Sequence, residues 1–468
     1  MLRTKVRHIH LVGIGGIGMS GIAEVLLNLD FQVSGSDLRE NPIVRRLQKM
    51  GAEISIGHRA ENLKGADVLV YTSAASRSNP EVMKARKLGI PVIPRAEMLA
   101  ELMRMKEGIA VAGTHGKTTS SSLISWVLVE GGMDPTCLIG GRLTSFDSNA
   151  RLGQGSCLVA EADESDGSFL KLTPVLNVIT NVEAEHLDHF GSEAKLNEAF
   201  VDFANLVPFY GSNIVCIDDP GIKRLLPFFG RRYITYGMSK DADIQARNVS
   251  SKGFHSSFDL YRNKEKVGRF TVNLPGLHNV LNAVSAAAVG MELGIDAEVI
   301  KQALSTFAGI DRRFQLKGES KGIIVIDDYG HHPTAIRATL KTTRENFDDR
   351  IVAVFQPHRY SRLRDFFDEF ATSFENSDML IVTEVYKANE SAIEGISGKS
   401  IYEAIKDKGH PDVRYIPECE DVAAKILPEL ISGDVLITLG AGDVNKIGRR
   451  LLDLLNTPVK SGGEDNGC

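Results

Sequence analysis

The sequence predicts an α/β protein of three domains, and three observations carry that prediction. Short β-rich runs alternate with helical stretches along nearly the whole chain, a rhythm that builds parallel sheets with crossover helices. It restarts twice, at Gly108 and after the segment FAGIDRRFQ that begins at Phe307. Two glycine-rich segments, residues 13–18 and 113–119, each stand between an apolar run and a helical stretch, where α/β folds bind phosphates.

In the first hundred residues the runs HIHLVG, FQVSGS, ADVLVYTS and IPVIP alternate with GMSGIAEVLLNLD and NPIVRRLQKMG. AEMLAELMRMKEG then reads as a helix that enters a new strand, GIAVAGT, so the first boundary falls near Gly108. The second unit continues through LVAEADESD, LNVITNVEAEH and NIVCIDD, each an apolar run ending in polar residues, to the helix NVLNAVSAAAVGMELG. Between them, residues 242–276 alternate apolar and polar side chains as an antiparallel meander does, and are expected to be an insertion separate from the catalytic sheet. GIIVIDDYG, RIVAVFQPH, DMLIVTEVY and DVLITLGAG supply the strands of a third unit, and the small polar residues TPVKSGGEDNGC are expected to fray. The domains are therefore expected at 1–107, 108–311 and 312–468.

Composition narrows the function. The 468 residues suit about three domains of roughly 100–200 residues each. A net charge of -6 offers no basic face for nucleic acid or an anionic membrane. Five scattered cysteines without a CxxC pair indicate neither a disulfide framework nor a zinc site, so a reducing, cytoplasmic compartment is expected. Glycines interrupt the apolar run at the N-terminus, which therefore does not read as a signal peptide, and no stretch approaches about 18 uninterrupted apolar residues.

GTHGKTT, residues 113–119, follows an apolar run and opens a helix, the context of a phosphate-binding loop. Gly113 and Gly116 let the backbone approach phosphate, the helix N-terminus aims amides at it, and Lys117 adds a point charge. Thr118 or Thr119 supplies a hydroxyl for Mg²⁺; Thr114 and His115 complete the loop. Val111 stands where a standard GxxxxGK[ST] loop has its first glycine, which points away from motor-type and GTPase relatives.

GIGGIG fits the dinucleotide fingerprint at Gly13, Gly15 and Gly18, with Asp37 about 20 residues on. Alone it suggests a nicotinamide cofactor. The unit ends after about a hundred residues and a phosphate loop follows at once, which favours another diphosphate ligand on the same amides.

EADESD (161–166) and NVEAEHLDHF (181–190) gather carboxylates and His186 at expected strand ends, a donor set suited to Mg²⁺. LPGLHNVLNA places His278, Asn279 and Asn282 at the start of a helix, the two asparagines on one face, where an amide can pair with an adenine edge or simply cap the helix. In the third unit Arg313 could meet a phosphate, Asp328 and Tyr329 could touch nucleotide, and Arg359 and Arg362 could hold a carboxylate by paired hydrogen bonds. His331 and His332 are expected to form hydrogen bonds rather than ligate metal.

Taken in order, GIGGIGMSGIAEVL, GTHGKTT, EADESDGSFL, NVEAEHLDHF, LPGLHNVLNA, DDYGHHPT and QPHRYSR resemble the Mur ligases over nearly the whole chain. The resemblance implies a Rossmann-like N-terminal domain, a central P-loop ATPase-type α/β domain and a Rossmann-like C-terminal domain closing the active site. It implies an ATP-dependent ligase that adds L-alanine to the carboxylate of UDP-N-acetylmuramate through an acyl phosphate, a monomer or homodimer without nucleic-acid or membrane partners. On matching positions Lys117 would contact ATP phosphates, and Thr118, Glu161 and His186 would bind Mg²⁺. Asn279, Asn282, Arg313, Asp328 and Tyr329 would reach the nucleotide. Gly15, Gly16, Ser36, Asp37, His58 and Ser73 would hold the UDP-sugar, and His358, Arg359 and Arg362 the substrate end. Where members commonly read EADH this chain has Glu183-Ala184-Glu185-His186, which puts the role of Glu185 in doubt and leaves His186 in place. The carbamylated lysine of some sister ligases has no assignable counterpart. The rivals are a tripeptide-adding Mur-type ligase, a nicotinamide-dependent oxidoreductase and a nucleotide-gated binding protein.

Overall fold

The computed structural model describes residues 5–72, 75, 78–143, 148–388 and 390–457. Ser73, Cys468 and the expected frayed tail from residue 458 lie outside the described residues, as does the side chain of Asp188. Two compact units result, one of Met1–Ser250, Ser257–Asn273 and His278–Ile310, the other of Ser251–Ser256, Leu274–Leu277 and Asp311–Cys468.

The first unit carries two sheets. Its N-terminal sheet is built from β1 (His8–Val12), β2 (Gln32–Asp37), β3 (Glu53–Ile56), β4 (Val68–Tyr71) and β5 (Val92–Pro94), in the order β3-β2-β1-β4-β5. All four pairings are parallel. The helices α1 (Ile17–Asn28), α2 (Pro42–Lys49) and α3 (Pro80–Lys87) make crossovers, and α4 (Arg95–Met103) leads from β5 out of the sheet. β1 is buried along its whole length, as a central strand covered on both faces must be. Strand order reverses beside it, so the loop from β1 to α1 lies at a topological switch point, where such sheets bind ligands.

The second sheet comprises β6 (Glu107–Ala112), β7 (Thr136–Leu143), β8 (Ser148–Arg151), β9 (Cys157–Glu161), β10 (Leu176–Ile179), β11 (Ser212–Cys216), β12 (Tyr233–Gly237), β13 (Ile244–Lys252), β14 (His255–Arg262) and β15 (Glu265–Val272). Their order is β15-β14-β13-β12-β11-β10-β6-β9-β7-β8. The expectation of a separate meander over residues 242–276 is corrected here. β13 pairs in parallel with β12, Tyr236 against Ile244 and Gly237 against Gln245, so the meander extends the same sheet. Polar alternation marked one solvated face, and periodicity carries no information about which strand lies alongside.

Helix α5 (Lys117–Glu130) follows β6 and buries Ser120, Ser121, Ser122 and Ser125, small residues that let it lie close to the sheet. Downstream come α6 (Leu187–Phe190), α7 (Glu193–Asn205), α8 (Pro220–Leu225), α9 (Leu277–Glu292) and α10 (Ala297–Thr306). A Cβ on Gly290 of α9 would fall 2.9 Å from both Val127 of α5 and Ile300 of α10, so glycine there permits the close packing of these helices.

The second unit holds β16 (Gln315–Ser320), β17 (Ile323–Asp328), β18 (Ile351–Phe355), β19 (Met379–Val382), β20 (Val413–Tyr415) and β21 (Val435–Leu439), ordered β16-β17-β21-β18-β19-β20. Only β16 runs antiparallel to its neighbour. The expected apolar runs became β17, β18, β19 and β21; the largely exposed β16 and the three-residue β20 gave no such signal. Among the described residues no helix is long and apolar enough to cross a membrane.

Phe203 of α7 is fully buried, stacked on Phe169 at 4.9 Å between ring centroids, and Phe200 meets Phe169 edge-on at 5.4 Å. Phe203→Ala is expected to cost the first unit about 3–5 kcal/mol, read as a lower midpoint in chemical denaturation.

Candidate functional site

The loop from β6 to α5 is shaped by two glycines and tied down by side chains distant in sequence. Gly113 has φ +131°, and a Cβ there would lie 2.1 Å from the Thr180 hydroxyl oxygen; Gly116, at φ +83°, would place one 2.8 Å from Asn282 Oδ1. The Thr180 hydroxyl donates to the His115 carbonyl at 2.6 Å. Asn181 accepts from the His115 N–H at 2.8 Å and donates to its carbonyl at 3.0 Å. Ser120 donates to Asn282 Oδ1 at 3.0 Å, and Asn282 Nδ2 donates to Asn279 Oδ1 at 3.3 Å. The two asparagines of α9 thus come to the start of α5, as their shared helix face allows, while His278 is exposed.

The ammonium of Lys117 donates to both carboxylate oxygens of Glu164, at 2.7 and 3.0 Å, and to the carbonyls of Gly113 and Thr114, at 2.6 and 3.3 Å. Burial opposes its charge, but the Glu164 carboxylate outweighs that and raises the lysine pKa, so the ammonium stays protonated. Beside it, Glu161 accepts the Gly140 N–H at 2.6 Å and the Ser121 hydroxyl at 3.4 Å. Cβ atoms on Gly140 and Gly141 would come within 2.7 Å of Glu161 Oε2 and 2.8 Å of Thr118 Cγ2. Two glycines of β7 therefore let that strand pass directly over the candidate Mg²⁺ residues. Thr118 and Thr119 are both buried at the first turn of α5. His186 takes a left-handed backbone, φ +58°, at the N-cap of α6, with its ring 3.9 Å from Glu185. Among the described residues no group of three His, Cys, Asp or Glu side chains is gathered tightly enough to hold a metal unaided.

At the first glycine loop, Gly13 and Ile14 donate backbone N–H groups to the Ser36 carbonyl, at 2.8 and 3.1 Å, and Gly15 donates to Asp37 Oδ2 at 2.8 Å. Gly16 caps α1. The Ser36 side chain is fully buried and donates to Glu81 Oε2 at 2.6 Å, with His58 Nδ1 2.9 Å from the same hydroxyl. Glu81, which sequence reasoning missed, is itself fully buried and also takes Asn62 Nδ2 at 2.6 Å and the Arg59 N–H at 3.1 Å, with His10 Nε2 3.3 Å away. Burial alone would push its carboxyl up, but the bonds from His10, Ser36 and Asn62 hold it down at about 2.

Both loops open on one cleft of about 390 Å³, lined by Gly16 and Gly18 on one side and by Lys117, Gly140 and Glu161 on the other, with Arg95 between. Arg95, Asp163, Glu164, Gly140 and Asn181 had no individual assignment from the sequence. No local pattern distinguishes an arginine at a helix start, or one acid among several, without the packing that aims it.

The second unit gathers its own predicted residues. Arg313 lies over the Tyr329 ring at 5.2 Å. Asp328 is buried, and accepts the N–H groups of Phe314 and Gly330 at 2.8 and 2.7 Å and the Thr339 hydroxyl at 3.3 Å. His358 stacks on Tyr386 at 5.5 Å, with Arg362 Nη1 3.3 Å from its Nδ1; burial, then Arg362 and Arg359, lower its pKa to about 4. The exposed Arg359 has φ +70°. His331 lies 5.8 Å from His358, centroid to centroid, and bonds the Tyr329 carbonyl at 2.8 Å.

Sequence models of the Mur ligase family match in chain order: its catalytic domain over residues 8–107, its middle domain over 111–290 and its glutamate ligase domain over 312–442. UDP-N-acetylmuramate--L-alanine ligase of Sorangium cellulosum (strain So ce56) is 52% identical over 454 residues, spanning 96% of this chain and 97% of that one. The Myxococcus xanthus (strain DK1622) enzyme of the same name is 51% identical over 456 residues, 97% of each. Among solved structures, UDP-N-acetylmuramate-alanine ligase from Thermotoga maritima superposes with a TM-score of 0.82 at 30% identity, covering 96% of this chain and 98% of its own. A murein peptide ligase from Psychrobacter arcticus 273-4 gives 0.70 at 26% identity, covering 97% and 99%.

A carboxyl held at about 2 in the fold stabilises it above its unfolded pKa near 4.5, and loses that contribution as pH falls from there towards 2. Glu81→Gln should flatten the stability profile between about pH 5 and pH 2, measured by thermal unfolding across that range; an unchanged acid limb would refute the clamp.

Proposed function

The chain belongs to the Mur ligase family, and we propose that it joins L-alanine to the carboxylate of UDP-N-acetylmuramate, with ATP converted to ADP and phosphate, in peptidoglycan precursor synthesis. The observation that carries the reading is the single cleft that sets the α1 N-terminus opposite Lys117. The choice of substrates follows the relatives about half identical over their full length. The domains are assigned to 1–107, 108–311 and 312–468, and the protein to the cytoplasm.

In this reading the amides at Gly15 and Gly16 exchange Asp37 and the Gly13 carbonyl for the UDP diphosphate, a role for which a helix N-terminus is suited. Asp37, His58 and Ser73 complete that seat, with Ser36 behind them. Lys117 exchanges Glu164 for ATP phosphate oxygens, guided by the loop of Gly113, Thr114, His115 and Gly116. Asn279, Asn282 and His278 face the adenine side; Arg313, Asp328 and Tyr329 serve the nucleotide from the C-terminal domain. His358, Arg359 and Arg362 hold the substrate end. Thr118 and Glu161 are oxygen donors already fixed by their neighbours, and a hard cation that keeps several waters fits such a set; His186 is assigned to it on the family pattern. Mg²⁺ bound there supplies neutralisation of phosphate charge.

A carboxylate is a poor acyl donor, so the muramyl carboxylate oxygen first accepts the γ-phosphoryl group of ATP. The alanine amine then attacks the acyl carbon, loses a proton, and phosphate leaves. Lys117 offsets the charge that builds on the transferring oxygens, while the cleft walls orient the reactants and exclude water from the acyl phosphate.

Purified protein should release phosphate from ATP only when UDP-N-acetylmuramate and L-alanine are both present, and Lys117→Ala should abolish this. Turnover with a preformed tripeptide but not alanine would replace the substrate assignment. Saturable enhancement of NADH fluorescence that no UDP-sugar competes would favour a redox role.

A further inference from the structure

We propose that Arg95 is a further substrate-positioning residue, which takes an anionic oxygen pair of the UDP-sugar acid in the cleft after leaving Asp163, its resident counter-ion. This rests on the reading of the function above.

Arg95 is the first residue of α4, directly after β5 at the carboxyl edge of the N-terminal sheet. Its Nη2 lies 3.8 Å from Asp163 Oδ2 on the acidic loop after β9. The guanidinium therefore reaches from the sheet that seats the first glycine loop to the loop beside Lys117. On the way it passes over the first turn of α1, where a Cβ on Gly18 would lie 3.0 Å from Nη1 and 3.3 Å from Cδ. The third glycine of the fingerprint thus makes room for this arginine.

Charge gives the contact a purpose. Arg95 and Lys117 are the two cationic side chains that line the cleft among the described residues, facing Glu161 and Asp163, and Glu164 engages Lys117. An anionic substrate entering such a cleft meets carboxylates unless a cation is available to it. The Arg95–Asp163 pair is long and its side chains are 27% and 46% exposed, so it contributes little and can be exchanged cheaply. A guanidinium fork matches a carboxylate or phosphate oxygen pair, which a lysine cannot do. UDP-N-acetylmuramate carries both, in its diphosphate and its lactyl carboxylate.

Calorimetric titration of the full chain with UDP-N-acetylmuramate, and in parallel with UDP, tests this. Arg95→Ala should weaken UDP-N-acetylmuramate binding about tenfold or more, the scale of one charge-assisted hydrogen bond. Arg95→Lys should recover part of it, and the KM for ATP should stay unchanged. Asp163→Asn should tighten binding about two- to fivefold and clearly less in the Arg95→Ala background. UDP weakened in parallel identifies the diphosphate as the partner group; UDP unchanged identifies the carboxylate. Binding by Arg95→Ala within about twofold of wild type, or an Asp163→Asn effect equal in both backgrounds, overturns the proposal. If wild type itself does not bind UDP-N-acetylmuramate, the functional reading falls and the proposal with it.

Discussion

The part-buried ammonium of Lys117 is the constraint around which the central sheet's loop end is arranged. A cation removed from water needs a counter-charge and acceptors for its protons. Glu164 and the carbonyls of Gly113 and Thr114 provide them. Meeting that need fixes the loop that follows β9, and so sets Glu161 against Gly140 and Asp163 towards Arg95. The loop from β6 to α5 requires Gly113 and Gly116 to adopt positive φ, while Thr180, Asn181 and Asn282 tie it to strands and a helix well separated in sequence. Glycine geometry and long-range hydrogen bonds thus fix the position of the lysine.

A parallel arrangement exists in the N-terminal sheet with the sign of the charge reversed. There a buried carboxylate, Glu81, is the group that must be satisfied, and it collects Ser36, Asn62, His10 and the Arg59 amide. These residues come from β1, β2 and the segment after β3, so the clamp fixes the walls around the switch-point loop, whose Gly15 and Gly16 amides are held by Asp37 and the Gly13 carbonyl. In both sheets a charged group drawn from solvent is met by partners from several elements, and the cleft lies between the two glycine loops.

Much of this was legible in the sequence because it is local. Strand followed by glycine loop followed by helix is a short-range pattern, and both loops, β1, β2, β4, β5, β6, β17, β18, β19 and β21 stand where the apolar runs are, whereas the half-exposed β3 gave no such signal. The order of the chemical motifs also carried the family, although GIGGIG read alone favours a nicotinamide cofactor. The meander over residues 242–276 was legible as strands and misread as separate, since alternation reports a face and leaves pairing open.

Residue types at fixed spacing therefore determined the α/β class, the phosphate-loop candidate and the candidates Lys117, Asn279 and Asn282, while the family resemblance singled out Glu161. Only the tertiary structure decided which charges meet. It selected Glu164 from a run of acids as the partner of Lys117, turned Ser36 inward onto Glu81, and brought Arg95 within reach of Asp163 across 68 positions of chain, the difference of their numbers. Such pairings depend on how sheets and helices pack, and packing over that separation leaves no periodic trace along the sequence.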